Sequence, residues 1–190
     1  MMNIELKPIN TIIVISGRIS SGKSTVAKII SSKHSFPVAS FGAYLKHYCE
    51  SNGLPTDRKT LQDTGEDFVQ RDPVNFLKTV VNHFIENSDI LILEGVRHKI
   101  IFDEVQNICQ RKLAIFVDAD QNTRYKRYYD RNKDTEYSKT LEQFIESDNH
   151  IVEQGIDSLK SLCDIIIDST KQFPEMQSNV EAFVENYLMK

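Results

Sequence analysis

Cysteine is scarce in this 190-residue chain, and its spacing argues against the commonest cysteine-based sites. Cys49, Cys109 and Cys163 are an odd set, and no two of them form a C-x-x-C motif. Zinc sites and disulfide frameworks normally use paired cysteines at short, regular spacing, so we interpret the three as free thiols in a reducing compartment. The five histidines show no H-E-x-x-H or other metal-ligand spacing either.

Long apolar runs and an excess of positive charge are also missing. No stretch approaches the roughly 18 apolar residues that a transmembrane helix requires, and the amino-terminal MMNIELKPIN contains no long apolar run. The formal net charge of −4 argues against a broad nucleic-acid surface, which needs clustered Lys and Arg. The sequence therefore predicts a soluble cytoplasmic protein, monomer or homodimer, with no membrane or nucleic-acid partner.

The most informative segment is residues 11–25, which read TIIVISGRISSGKST. Gly17, Gly22, Lys23 and Ser24 fall at the spacing G-x-x-x-x-G-K-S, between an apolar strand and an amphipathic helix. The glycines permit backbone conformations that turn N–H groups toward a phosphate, and the helix N-terminus attracts the anion. The pattern predicts a phosphate-binding loop in which Lys23 contacts the β- and γ-phosphates and Ser24 is a ligand of Mg²⁺. The predicted ATP-binding residues are Gly17, Ser20, Ser21, Gly22, Lys23, Ser24 and Thr25.

Strands alternate with helices along the rest of the chain, whose length fits a single domain. We predict strands at 11–15, 36–40, 89–93, 113–117 and 163–167. We predict helices at 23–33, 41–52, 58–70, 73–85, 100–110, 121–132 and 140–153, and a terminal helix through 176–187. This order predicts an α/β fold, in which helices cover both faces of a parallel sheet.

Polar residues follow several of the predicted strands, where open α/β sheets bind their ligands. Ser40, Glu94, Asp118 and Asp168 lie at these carboxyl ends. Glu94 ends an apolar run, and we interpret it as a carboxylate close to Mg²⁺ or water. The alternative is that Glu94 is an ion-pair partner of Arg97.

Two groups of arginines could contact phosphate. Arg124, Arg127 and Arg131 recur at i, i+3 and i+7, so they share one face of a helix; Arg127 and Arg131 are the stronger candidates for neutralising a transferred phosphoryl group. The alternative is a solvated face with surface ion pairs. Arg58 and Arg97, with Gln62 one turn after Arg58, suggest a pocket for a second anion, although each alone would be an ordinary surface residue.

With these residues identified, the chain resembles the P-loop nucleoside monophosphate kinase superfamily, and within it the deoxynucleoside monophosphate kinase-like branch. Four segments carry the resemblance: the phosphate loop; SFGAYLK at 40–46 with DRKTLQDTG at 57–65; LEGVR at 93–97; and DNHIVE at 148–153 followed by CDIIID at 163–168. Together they span most of the chain, and only the phosphate loop is highly specific.

The resemblance implies a three-layer P-loop NTP hydrolase fold with a five-stranded parallel sheet, an acceptor-binding insertion at about 41–72 and a mobile helical lid at about 131–150. It implies that Arg127 and Arg131 belong to the lid and that the segment from Asp168 to Thr170 lies by the adenine. It also implies an acceptor site, whose residues would be Ser40, Tyr44, Arg58, Gln62 and Arg97. The catalytic residues would be Lys23, Glu94, Arg127 and Arg131, with Ser24 and Glu94 as metal ligands.

The expected function is therefore transfer of a phosphoryl group from Mg·ATP to a nucleoside or deoxynucleoside monophosphate. Dephospho-CoA kinase is the nearest alternative; its hydroxyl acceptor needs a carboxylate base after the second strand, where this chain reads VASFG at 38–42. Glu94 could replace that base. An ATP-gated regulatory protein without transfer is a third possibility, because Ala43 and Lys46 depart from the family's usual Asp and Arg.

Overall fold

Five parallel strands form one sheet in the order β2-β3-β1-β4-β5. The computed structural model describes residues 9–85, 88–132 and 140–188. The strands are β1 (Ile9–Ser16), β2 (Val38–Ser40), β3 (Ile90–Val96), β4 (Cys109–Asp118) and β5 (Ile165–Asp168). The helices are α1 (Lys23–His34), α2 (Phe41–Ser51), α3 (Arg58–Arg71), α4 (Pro73–Phe84), α5 (Lys99–Glu104), α6 (Gln121–Asn132), α7 (Leu141–Asp148), α8 (Ile151–Gln154), α9 (Asp157–Lys160) and α10 (Phe173–Leu188).

The alternation of side chains along β1 divides the core into two halves. Ile12 and Val14 point to one face of the sheet, where α4 contributes Leu77. Ile13 and Ile15 point to the other face, where α1 and α10 supply most of the packing. Fully burying each of these aliphatic side chains contributes about 1.5–3 kcal/mol. The α/β fold with helices on both faces of a five-stranded parallel sheet, which the sequence predicted, is confirmed.

The end of β3 is held against the beginning of the phosphate loop. Glu94 pairs with Ile15, but the next pair along is Ser16 with Val96, because Gly95 forms an irregularity with φ 89°. The Ser16 hydroxyl donates to the carbonyl of Val96 at 2.8 Å. This arrangement places the side chains that follow β3 beside the loop that follows β1.

Two predicted helices differ from the structure. The helix expected at 100–110 ends at Glu104 and continues as a 3₁₀ turn at Val105–Asn107, because β4 already begins at Cys109, which pairs with Ile9 of β1. The helix expected at 140–153 is interrupted after Asp148. His150 there has a non-helical backbone with φ −58° and ψ 147°, and its ring accepts from the amide of Val152 at 3.4 Å and so caps α8.

The predicted lid at 131–150 is only partly described. Residues 133–139 lie outside the described part of the chain, whereas α7 lies within it. The predicted acceptor-binding insertion at 41–72 corresponds to α2 and α3. Within the described residues, no helix is both long and apolar enough to cross a bilayer.

Candidate active site

The phosphate loop runs from β1 to α1 and is open to an anion. Gly17 has φ 143°, and a Cβ at this position would lie 2.3 Å from the carbonyl oxygen of Val117 in β4, so the loop passes too close to β4 for a larger residue. Ser20 adopts φ 59°, a conformation that non-glycine residues usually keep only where the surroundings enforce it. Gly22 precedes α1 and has no side chain to cap the first helical turn. The first amides of this 12-residue helix are thus left to bind a negative charge.

Lys23 is buried at the start of α1 and turned toward the loop itself. Its Nζ donates to the carbonyls of Gly17 at 2.7 Å and Arg18 at 2.6 Å. Burial and the nearby charge of Arg97 lower the pKa of Lys23 to about 7, although Glu153 acts in the opposite direction. A triphosphate in the loop would supply the negative charge that favours the ammonium form.

Ser24 and Glu94, the two predicted metal ligands, are in direct contact. The Ser24 hydroxyl donates to Oε1 of Glu94 at 2.7 Å. A hydroxyl and a carboxylate are oxygen donors of the kind that Mg²⁺ prefers, so this pair fits such an ion bound together with nucleotide phosphates. The alternative interpretation of Glu94, an ion pair with Arg97, is not found in the described part of the chain. Arg97 forms its ion pair with Glu153.

Glu153 is the centre of a buried ionic cluster. Its side chain is 0 % exposed, and Oε1 accepts from Arg58 at 3.1 Å and from Arg97. Its second oxygen, Oε2, accepts from the backbone amide of Ile19 in the phosphate loop at 3.0 Å. Burial alone would raise the pKa of Glu153, but the charges of Arg97, Lys23 and Arg58 hold it below its ordinary value.

The Nε of Arg58 is buried and finds no acceptor among the described residues. Burial and the charge of Arg97 lower the pKa of Arg58 to about 10. A buried guanidinium nitrogen is costly to leave unpaired, and an anionic ligand is its natural acceptor.

The other predicted acceptor residues differ in their surroundings. Gln62 is 5 % exposed and donates to the carbonyl of Ser147 at 3.0 Å. The Ser40 hydroxyl accepts from the amide of Ala43 at 3.3 Å and so caps α2. The ring of Tyr44 packs against the ring of His83, with 5.5 Å between the ring centroids. Ser40 and Gln62 line a cavity that Lys23 and Ser24 also line, whereas Tyr44 does not line it.

The three arginines of α6 do not act as one set. Arg124 is 4 % exposed and forms a buried two-point ion pair with Asp148 of α7, which makes it a structural residue. Arg127 donates to the hydroxyl of Ser169 at 2.9 Å and to the carbonyl of Ser21 at 3.2 Å. Arg131 is exposed and lines the cavity. On this shared helical face, Arg124 therefore stabilises the scaffold, Arg127 contacts the loops and Arg131 lines the cavity.

The segment after β5 borders the phosphate loop through Ser169. The Ser169 hydroxyl donates to the carbonyl of Ser21 at 2.6 Å. Its neighbours Asp168 and Thr170 were predicted to lie by the adenine. The Thr170 hydroxyl donates to Oδ1 of Asp168 at 2.6 Å, and both residues are exposed. Neither of the two lines the cavity.

One cavity of about 320 Å³ connects the two halves of the candidate site. Its lining combines Lys23 and Ser24, from the start of α1, with Arg58 and Gln62 of α3 and with Arg97, which follows β3. Its volume is at the small end of the range for small-molecule sites. Glu94 also lines this cavity.

The sequence does not predict the part played by Glu153, which enters the resemblance only as the last residue of the segment at 148–153. Ser169 lies in the segment that the resemblance places by the adenine, but its contact with the phosphate loop is not predicted. The sequence does hold a signal, because Glu153 directly follows Val152 and lies three residues before Ile156. Both apolar side chains are buried, so the carboxylate of Glu153 lies beside an apolar face. Such a carboxylate needs a partner, and the partners come from distant parts of the chain.

Comparisons with known proteins agree with this architecture. A UPF0200 protein of Methanococcus vannielii is 23% identical, with 94% of this chain and 97% of that protein covered. Shikimate kinase from Acinetobacter baumannii, solved in complex with shikimate, superposes with a TM-score of 0.61 at 11% identity, covering 95% of this chain and 94% of that one. A gluconokinase from Sinorhizobium meliloti superposes with a TM-score of 0.53 at 15% identity, covering 96% and 98%. The fold is therefore that of P-loop kinases, and because the AAA domain family matches residues 13–153, the chain belongs to that family.

Proposed function

We propose that this protein is an ATP-dependent kinase that transfers the γ-phosphoryl group to a nucleoside or deoxynucleoside monophosphate. The observation that carries the proposal is that Lys23 and Ser24 line the same cavity as Arg58 and Arg97. A donor phosphate and an acceptor anion could thus lie next to each other. Phosphoryl transfer depends mainly on such positioning and on charge neutralisation.

The donor side would be held by the phosphate loop. The uncapped amides of α1 and the ammonium of Lys23 would bind the β- and γ-phosphates. Ser24 and Glu94 would hold Mg²⁺, which neutralises charge on the phosphate oxygens when bound with ATP. Arg131, which lines the cavity, and Arg127 would add positive charge as the lid closes and water is excluded.

The acceptor side would be held by Arg58 and Arg97. Each guanidinium group has more N–H donors than Glu153 uses, and the Nε of Arg58 has no acceptor in the described part of the chain. A monophosphate is already an anionic nucleophile, so it needs alignment rather than a general base. This matches a pocket whose charged lining is mostly cationic.

A second candidate is a kinase acting on a hydroxyl group, such as a dephospho-CoA kinase. The position of Glu94 favours it, because this carboxylate lines the same cavity and could accept the hydroxyl proton. In that case Glu94 would have to give up the hydrogen bond that it accepts from the hydroxyl of Ser24.

A panel of acceptors tests the proposal. The protein would be incubated with Mg·ATP and nucleoside monophosphates, deoxynucleoside monophosphates, dephospho-CoA, shikimate or gluconate, and ADP formation would be measured. We expect a signal with a nucleoside or deoxynucleoside monophosphate that is lost in Lys23→Met and kept in Lys28→Met, an exposed lysine of the same helix. Signal only with a hydroxyl acceptor would favour the second candidate. Binding of ATP without any acceptor-dependent turnover would favour an ATP-gated regulatory protein and refute the kinase.

A further inference from the structure

Three separate parts of the chain meet at one carboxylate. Arg58 begins α3, Arg97 follows β3, and Ile19 lies in the phosphate loop. All three donate to Glu153, the arginines to Oε1 and the Ile19 amide to Oε2. The acceptor side and the donor side of the cavity therefore share one support.

The support leaves the arginines available for a ligand. The side chains of Arg58 and Arg97 are 27 % and 19 % exposed, whereas Glu153 is 0 % exposed behind them. Glu153 is within direct contact of two positive charges, and its single negative charge offsets only one of them. Their combined charge stays positive toward the cavity, but it is smaller than that of two unopposed guanidinium groups.

Nearby contacts strengthen the segment that carries Glu153. Gln62 of α3 donates to the carbonyl of Ser147, and His150 contacts Asp63 of α3 at 3.0 Å. Asp148 at the end of α7 is held by the buried Arg124. The backbone that precedes Glu153 is thus attached to α3 and α6, which limits how far its carboxylate can follow the arginines.

We propose that Glu153 is a positioning residue that holds Arg58 and Arg97 in register with the phosphate loop and moderates their attraction for the acceptor's anion. It touches neither substrate in this account and acts through the two arginines. The inference rests on the proposed function for its effect on turnover, but its effect on anion binding does not depend on which acceptor is used.

The variant Glu153→Gln distinguishes the positioning of the two arginines from the moderation of their attraction for an anion. The amide keeps an acceptor for Ile19 but loses the negative charge. An anion should then bind roughly tenfold more tightly or better, because the guanidinium groups lose their internal counterion. Transfer should slow, with kcat falling at least about tenfold while the KM of the acceptor does not rise, because the arginines no longer hold the acceptor in line. A carboxylate with a merely structural role would instead weaken both binding and turnover.

The binding test uses protein saturated with Mg²⁺ and a non-hydrolysable ATP analogue, titrated with inorganic phosphate in a calorimeter. We expect tighter phosphate binding in Glu153→Gln, weaker binding in Arg97→Gln, and unchanged binding in the control Asp63→Asn, which likewise removes a carboxylate charge, but from another contact between α3 and this segment. Unchanged or weaker phosphate binding in Glu153→Gln would overturn the proposal.

The kinetic test uses whichever acceptor the wild-type protein phosphorylates. A kcat of Glu153→Gln equal to that of the wild type would also overturn the proposal. If Glu153→Gln does not fold, Glu153→Asp replaces it: the charge stays, so phosphate affinity should be kept, while the shorter side chain should still lower kcat. If the wild type phosphorylates no acceptor, the proposed function fails, and the phosphate titration alone decides the role of Glu153.

Discussion

Ser24 and Glu94 meet across the carboxyl end of the sheet, where the Ser24 hydroxyl donates to Oε1 of Glu94 at 2.7 Å. Ser24 follows β1 through the phosphate loop, and Glu94 lies near the end of β3, the strand paired with β1. The contact joins the two oxygen donors that we assign to Mg²⁺.

Glu94→Gln should therefore raise the Mg²⁺ concentration needed for half-maximal activity by about 10–100-fold, because the amide is a weaker ligand. Titrating activity with Mg²⁺ measures this, with Glu50→Gln, an exposed glutamate on α2, as the control. A loss of activity that added Mg²⁺ does not restore would contradict the assignment and would favour Glu94 as a general base.

Gly17→Ala should destabilise the protein by about 1–3 kcal/mol or more, because the added Cβ would lie 2.3 Å from the carbonyl of Val117 and φ is 143°. Gly155 is the matched control: its φ is −82°, and nothing lies within 4 Å of an added Cβ. Gly155→Ala should be neutral or slightly stabilising. Denaturant unfolding of both variants measures the difference; equal stability would show that the loop does not pass so close to β4.

Arg124→Met should cost about 3–5 kcal/mol of unfolding free energy, because it leaves the carboxylate of Asp148 buried without its main partner. Arg131→Met, on the exposed side of the same helix, should change stability by less than about 0.5 kcal/mol. Urea unfolding of the two variants compares them directly. Losses below about 0.5 kcal/mol in both would mean that the α6 arginines form one solvated set.

Binding of Mg·ATP should take up protons near pH 8. The pKa of Lys23 is lowered to about 7 in the free protein, so the amine is mostly neutral above that pH, and the triphosphate should shift it back to the ammonium form. The uptake should reach at most about one proton per ATP. Calorimetry in two buffers of different ionisation enthalpy measures it. The variant Lys23→Arg, whose guanidinium group stays charged, should show no proton uptake. Equal proton uptake in both proteins would contradict the assignment of the uptake to Lys23.

The fold was largely predictable because its signals are local. The apolar runs at 11–15 and 89–93 and the G-x-x-x-x-G-K-S spacing each determine structure over a few residues. The helix boundary at 104 was missed because it depends on pairing between Cys109 and Ile9, which are 100 residues apart in sequence and invisible to a short window.

The side-chain network of the site was less predictable, because it depends on contacts between distant segments. Helical spacing correctly placed Arg124, Arg127 and Arg131 on one helix, but only tertiary packing separates Arg124, bound to Asp148, from Arg131 at the cavity. Glu153 contacts residues 95 and 56 positions away in Arg58 and Arg97. No local pattern contains that information.

The most direct test of the central claim follows the phosphoryl group itself. The protein would be incubated with Mg·ATP carrying ¹⁸O in the γ-phosphoryl group and with the acceptor that gives the strongest ADP signal, and the products would be analysed by mass spectrometry. The account predicts that the acceptor gains the labelled phosphoryl group in the wild type and not in Lys23→Met. Label found only in inorganic phosphate, with an unmodified acceptor, would contradict it.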